Sequence, residues 1–278
     1  MTVREALKWG EKELGEIPEP RLDAEYLLAA VLDSSRLPML LDKGRELTDG
    51  QRASYAELVA RRKEREPLQY ILGEQSFMGF SFRCDPRALI PRQDTEAVCG
   101  EVLRHLRPGM RALDLCTGTG ALAVSLKKLC PGAELTASDV SVDALFLARE
   151  NAERLGAEVR FLQGDLFAPV SGERFDLIVS NPPYIPDGLR GKLQAEVEME
   201  PALALFAGAD GLDFYRWIAR EAPEHLTDGG RLILETGDGE SRAVEKLLAD
   251  AFDNIAVFSD LSGLPRGVSA VKKEGGAP

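Results

Sequence analysis

The 278-residue sequence is poor in metal-binding and cross-linking side chains, with only four cysteines and two histidines. Cys84, Cys99, Cys116 and Cys130 form no C-x-x-C pair, and His105 and His225 stand alone. Neither a zinc site nor a disulfide framework is therefore expected, no metal is assigned, and the thiols suit a reducing cytosol. Long apolar runs are missing too. No stretch approaches the roughly 18 residues that span a bilayer, and Met1-Thr2-Val3-Arg4-Glu5-Ala6 lacks the apolar core of a secretion signal, so no membrane partner is expected. Basic charge is in deficit: 34 Lys and Arg against 46 Asp and Glu leave a formal charge of −12. That balance argues against a protein that grips long stretches of nucleic-acid backbone. The one basic cluster, Arg61-Arg62-Lys63-Glu64-Arg65, sits in a helical pattern, contains an acid, and reads as a solvated helix face.

What is present describes a globular chain, 44% hydrophobic and long enough for a large domain plus a small one. Residues 1 to 66 read as helical. Leu22, Tyr26, Leu27 and Ala30 recur at helical spacing with Asp23 and Glu25 off the stripe, and Thr48-Asp49-Gly50-Gln51 is a capping box opening a helix through Ala60. Pro67 breaks the pattern, and Phe77-Met78-Gly79-Phe80-Ser81-Phe82 reads as a short hairpin. From Met110 strands and helices alternate. Strands are expected at Arg111–Leu115, Glu134–Ala137, Val159–Leu162, Phe175–Ser180 and Arg231–Glu235, with helices at Ala121–Lys128 and Val142–Arg154. Helices near 212–225 and 240–251 and strands near 254–259 and 267–272 complete an open, doubly wound α/β sheet, and Lys272–Pro278 reads as a frayed tail. The boundaries drawn are 1–72 for the helical domain, 73–92 for a connector, and 93–278 for the α/β domain.

Two turns carry chemistry. Cys116-Thr117-Gly118-Thr119-Gly120 links the first strand of the sheet to its first helix, where glycines permit close backbone approach and the helix N-terminus carries partial positive charge. Asp139 ends the second strand, 21 residues beyond Gly118, where a carboxylate can accept from both hydroxyls of a ribose; the competing role is a helix cap, for which Ser141 is the rival. Asp165 follows the third strand and can accept from an adenine amino group, with Leu166 beside the ring. Together these place a nucleoside-bearing cofactor along the carboxyl edges of three strands.

The second turn is Asn181-Pro182-Pro183-Tyr184. Prolines cannot donate to a ladder, so the strand Phe175–Ser180 must stop and display its end rigidly. The side-chain carbonyl of Asn181 and the neighbouring backbone carbonyls converge as acceptors for a planar NH₂ group, and Tyr184 offers a flat face. Acceptors that hold both hydrogens favour a pyramidal nitrogen, so stabilisation grows toward the transition state. The chemistry expected is methyl transfer to a planar NH₂, with Asn181, Pro182 and Tyr184 as catalytic candidates.

With these residues assembled, the chain resembles the release factor glutamine N5-methyltransferases, S-adenosylmethionine-dependent enzymes with a seven-stranded Rossmann-like, mostly parallel sheet and a small all-helical N-terminal domain. Pro67–Gly73, Asp85–Glu96 and Glu200–Phe206 carry the likeness beyond the Asn-Pro-Pro-Tyr turn. The resemblance implies methylation of the glutamine amide in the Gly-Gly-Gln motif of class 1 peptide chain release factors, in the cytoplasm and without direct need of nucleic acid. It implies cofactor contacts at Cys116–Gly120, Asp139, Leu166 and Asn181, a substrate turn at Asn181–Tyr184, and release-factor docking by the helical domain. Cys116 stands where the family usually has glycine, Leu166 where an aromatic is common, and Gln93 where proline is frequent. Competing readings are a ribosomal-protein glutamine, adenine N6 or guanine N2 methyltransferase using the same turn, an NAD-dependent dehydrogenase, which leaves Asn181–Tyr184 without a role, and a non-catalytic docking protein.

Overall fold

The computed structural model describes residues 1–274, and the chain divides into two compact units. The first comprises Met1–Glu74 together with Gln194–Met199. Its helices are α1 (Val3–Glu13), α2 (Pro20–Val31), α3 (Arg36–Leu41), α4 (Asp49–Lys63) and α5 (Leu68–Leu72). Val3, Ala6, Leu27, Leu28 and Tyr55 form the centre of its core. The capping box read at Thr48 is present: its hydroxyl accepts from Gln51 N at 3.2 Å and the Gln51 side chain accepts from Thr48 N at 3.1 Å. Two otherwise orphaned amides are thereby satisfied. Thr48→Ala is expected to remove about 1 kcal/mol of stability, seen as a lower urea midpoint with an unchanged slope.

Two expectations for this unit are corrected. Of the expected stripe on α2 only Leu27 is buried; Leu22 is half-buried and Tyr26 and Ala30 are exposed, while Ala24, Leu28 and Ala29 are buried along with the acids Asp23 and Glu25. The acids go inside because they are paired, Glu25 with Arg21 and Arg36, and Asp23 with Arg62 at 2.6 Å. For the same reason Arg61–Arg65 is only partly a solvated face: Lys63 and Glu64 are exposed, but the arginines turn toward acids. Arg62 is buried, bound to Asp23 and at 2.8 Å to Glu196, and Arg65 meets Glu196 at 2.6 Å. Burial acts to raise the Glu196 carboxyl, but hydrogen bonds from Arg62 and Arg65 outweigh it and hold the group below its ordinary range.

The second unit, Gln75–Leu193 and Glu200 onward, contains the sheet. It opens on a hairpin of β1 (Glu74–Phe77) and β2 (Phe80–Arg83), followed by α6 (Thr95–His105). Then come β3 (Arg111–Leu115), α7 (Ala121–Leu129), β4 (Glu134–Asp139), α8 (Val142–Leu155), β5 (Arg160–Gln163) and β6 (Phe175–Ser180). The short α9 (Ala195–Glu198) carries Glu196 and belongs to the first unit. α10 (Asp213–His225), β7 (Leu226–Glu235), α11 (Ser241–Leu248), β8 (Phe252–Ser259) and β9 (Pro265–Lys272) complete the chain.

The seven strands run β5-β4-β3-β6-β7-β9-β8, parallel through β7, with β9 antiparallel to both its neighbours. Alternation sorts the side chains between two faces. Leu113, Leu115, Ile178, Leu232 and Leu234 pack with Tyr215 and Ile218 of α10 and Val244 of α11. Ala112, Leu177, Val179 and Ile233 pack on the other face with Val98 and Val102 of α6 and Leu122 of α7. Both faces are covered, which is why the strands read as continuous apolar runs. The hairpin joins the second core: Phe77 and Phe82 are fully buried, edge-on at 6.1 Å. At the other end Lys272 is not frayed; it closes β9 and donates to the Leu226 carbonyl at 3.0 Å, while residues 275–278 of the expected tail lie outside the described residues. No helix among the described residues is long and apolar enough to cross a membrane.

Candidate active site

Chain order reverses between β3, from which the sheet grows outward through β4 and β5, and β6 on its other side. Such a switch point leaves a crevice at the carboxyl ends of the strands. A cavity of about 290 Å³ opens there, close to the lower end of the range that holds small molecules. Leu115 of β3 is in register with Ser180 of β6, and the Ser180 hydroxyl donates to the Leu115 carbonyl at 2.8 Å. The two turns singled out in the sequence are thus pinned side by side.

Cys116, Gly118, Asp139, Asp165 and Leu166 line the cavity, as do Asn181 and Pro183. Ala88, Leu89 and Ala144 line it as well, with Leu203, Phe214 and Trp217 contributing further apolar surface. Thr117, Thr119 and Gly120 do not reach it. The Thr117 hydroxyl donates to the buried Asp114 at 2.6 Å, and the Thr119 carbonyl accepts from Asn151. Gly120 has φ +79°, and a Cβ there would lie 3.1 Å from that of Ala148, so it serves close packing of the turn on α8. Cys116 and Leu166 both have positive φ, 59° and 42°, a conformation that costs a non-glycine residue roughly 1–2 kcal/mol.

Ser141 caps α8, accepting from Ala144 N at 3.1 Å. Asp139 is therefore free of that duty. Its two oxygens accept from Gly118 N and Ser141 N, each at 2.9 Å, which fixes the carboxylate at the cavity wall. Burial pushes its pKa up against those hydrogen bonds, and the Cys116 thiol is pushed up by burial as well.

The Asn181 side chain donates from Nδ2 to the Thr95 hydroxyl at 3.3 Å. Pro182 is buried, and Tyr184 is half-buried against the core rather than on the cavity wall, its pKa pushed up to about 12 by burial. The turn is held from behind: Ile185 N donates to the Leu205 carbonyl at 2.8 Å, and Gly211, at φ +81°, makes room for the Tyr184 carbonyl, which a Cβ would approach to 2.3 Å. Sequence reasoning from the residues gave no role to Glu200, which is buried and accepts from Ile90 N at 3.0 Å and from Arg92, tying down the loop that carries Ala88 and Leu89.

Residues 5–73 match the PrmC N-terminal domain and residues 99–199 the methyltransferase small domain. A release factor glutamine methyltransferase of Geobacter sulfurreducens is 43% identical over 269 residues, 95% of this chain and 95% of that one. The chain belongs to the release factor glutamine methyltransferase family. A second family member, from Moorella thermoacetica, is 41% identical across 99% of this chain and 100% of its own length. As a member, the chain is a methyltransferase. The 16S rRNA N2 G1207 methyltransferase of T. thermophilus, solved with AdoMet and guanosine, shares the fold at a TM-score of 0.55 and 19% identity, over 72% of this chain and 50% of that one. At that identity the likeness speaks to the sheet and its helices only.

Proposed function

We propose that the chain transfers a methyl group from S-adenosylmethionine to the N5 side-chain amide of the glutamine in the Gly-Gly-Gln motif of class 1 peptide chain release factors. The observation that carries the reading is the sharing of one cavity by Asp139 and Asn181: a buried double acceptor on one wall and an amide with its Oδ1 unspent on the other. Asp139 suits the two ribose hydroxyls. Asp165 and Leu166 suit the edge and face of an adenine, and the Cys116–Gly118 turn leaves backbone close to the ligand. When bound, S-adenosylmethionine supplies a methyl carbon made electrophilic by its sulfonium.

What the chain itself does is hold the acceptor. Asn181 Oδ1 and the adjacent carbonyls of the proline turn take the two hydrogens of the glutamine amide, drawing its nitrogen lone pair out of conjugation. Pro182 and Tyr184, packed behind the turn, keep those acceptors from retreating. The apolar lining excludes water, so alignment rather than a strong base does the work. With the cofactor bound, forming the nitrogen–methyl bond would break the methyl–sulfur bond and leave a neutral thioether, and the surplus nitrogen proton would pass to solvent. The helical residues 1–72 are assigned to docking the release factor, and a cytosolic location follows from that partner.

The test offers radiolabelled S-adenosylmethionine with purified release factor, ribosomal proteins, DNA and RNA in separate reactions. Label is expected on the release factor alone, and on its Gly-Gly-Gln glutamine after peptide mapping. Label found only on nucleic acid or on ribosomal protein overturns the assignment.

A further inference from the structure

Asn181 follows Ser180, which is in register with Leu234 of β7, so the next residue of β7, Glu235, is the neighbour of Asn181 across the sheet. Glu235 is 1% exposed, and its Oε2 has no hydrogen-bond partner. Thr95, the first residue of α6, is also buried and accepts from Asn181 Nδ2. A carboxylate on the inner side of an acceptor turn is an expensive feature to bury, and methyl transfer as derived above makes no use of it.

The side-chain inventory gives it a use. An ionised carboxylate can only accept, and a threonine hydroxyl has one hydrogen. If the Thr95 hydrogen is turned toward the unpartnered Glu235 carboxylate, in keeping with the lowering influence of Thr95 on that group, the Thr95 oxygen is left as an acceptor for the NH₂ end of Asn181. Oδ1 must then face the cavity. Without the carboxylate the hydroxyl can donate to Asn181 instead, the amide can turn over, and its NH₂ would meet the NH₂ of the acceptor. We propose that Glu235 is a positioning residue that acts through the Thr95 hydroxyl to hold the Asn181 amide with its oxygen toward the acceptor nitrogen. The inference rests on the reading of Asn181 as the group that binds the glutamine amide.

The surroundings bear on when the carboxylate is charged. Burial pushes Glu235 up to about 7, opposed by hydrogen bonding from Thr95 and by Arg266 of β9 and Arg92, with Asp94 adding to the rise. Tyr184 and Tyr215 face it as well, and the Tyr215 hydroxyl donates to the Glu235 backbone carbonyl at 3.0 Å. The sign follows: the charged, orienting form is lost as pH falls through that value. Asp114 and Glu240 are pushed up to about 7 too, so variants rather than the position of the limb must assign it.

The experiment measures single-turnover methyl transfer to purified release factor at saturating cofactor, from pH values well below about 7 to well above it. The wild-type rate is expected to fall on the acid side and level off. Thr95→Val is expected to be about 10–100-fold slower at high pH, to lack that limb, and to meet the wild-type curve at low pH. Glu235→Gln is expected to be slow and flat, while Thr95→Ser restores both rate and limb. Cofactor affinity, titrated separately, reports folding and should stay within a few-fold; if Glu235→Gln does not fold, the valine and serine pair decides alone. An acid limb kept by Thr95→Val overturns the inference while leaving the substrate assignment standing. A wild type that labels no glutamine at any pH overturns the substrate assignment, and the inference with it.

Discussion

Asn181→Ala is expected to slow methyl transfer to the release factor by about 10²–10³-fold, the loss that follows removal of one preorganised polar group aimed at a transition state. The reasoning is differential. A planar amide gains little from two acceptors in its ground state, because its hydrogens are equally well served by water. As the nitrogen pyramidalises its hydrogens grow more positive, and the contact with Oδ1 strengthens just then. The loss should therefore fall on kcat at saturating release factor and cofactor, with only a few-fold change in either KM. Removing the side chain also frees the Thr95 hydroxyl, which has other company in Glu235, so the fold should survive. Single-turnover rates set beside a calorimetric cofactor titration check the prediction. A variant within a few-fold of wild type would show that the turn binds something other than the reacting nitrogen.

How the turn came to be legible in the sequence while its support did not is a matter of range. Asp139, Asn181 and the capping residues Thr48 and Ser141 declare themselves through neighbours a few positions away: a strand that stops, a proline that cannot donate, a hydroxyl before a helix. The period-2 sorting of Leu113, Ile178 and Leu232 against Ala112, Leu177 and Ile233 is local in the same sense. By contrast Thr95 lies 86 positions before Asn181, and Glu200 lies 110 positions after Ile90. A lone threonine or glutamate gives no sign of a partner so distant. Charge misleads for a related reason. Asp23, Glu25 and Arg62 look solvent-bound by type, and only the pairing of Arg62 with Asp23 and Glu196, 39 and 134 positions away, lets them go inside. Glu196, the distant partner of both Arg62 and Arg65, lies in Gln194–Met199, which belongs to the same compact unit as the helices. Cys116 and Leu166 are a different case. Both depart from the family pattern, and both hold left-handed backbone, the conformation in which glycine is least strained.

Asp139→Ala should weaken S-adenosylmethionine binding by about 10²–10³-fold, since two hydrogen bonds to a charged acceptor are worth roughly 3–4 kcal/mol together. Part of that loss is indirect. The carboxylate also accepts from Gly118 N and Ser141 N, so its removal loosens the turn that approaches the ligand. Asp139→Asn separates the two contributions. Its shape is right, but in either orientation its NH₂ confronts a backbone N–H, that of Gly118 or that of Ser141, so about half the free-energy loss should remain even though nothing has been truncated. Because the interaction is present before and during reaction alike, kcat at saturating cofactor should stay within about tenfold of wild type for both variants, the opposite of the pattern at Asn181. Burial holds the Asp139 pKa above its ordinary value, so affinity should also decline as the solution is acidified through that raised pKa, and the decline should vanish in Asp139→Asn. Calorimetric Kd values across pH test all three statements. An Asp139→Ala variant that binds S-adenosylmethionine as the wild type does would remove the ribose from that wall and leave the carboxylate a brace for the turn and nothing more.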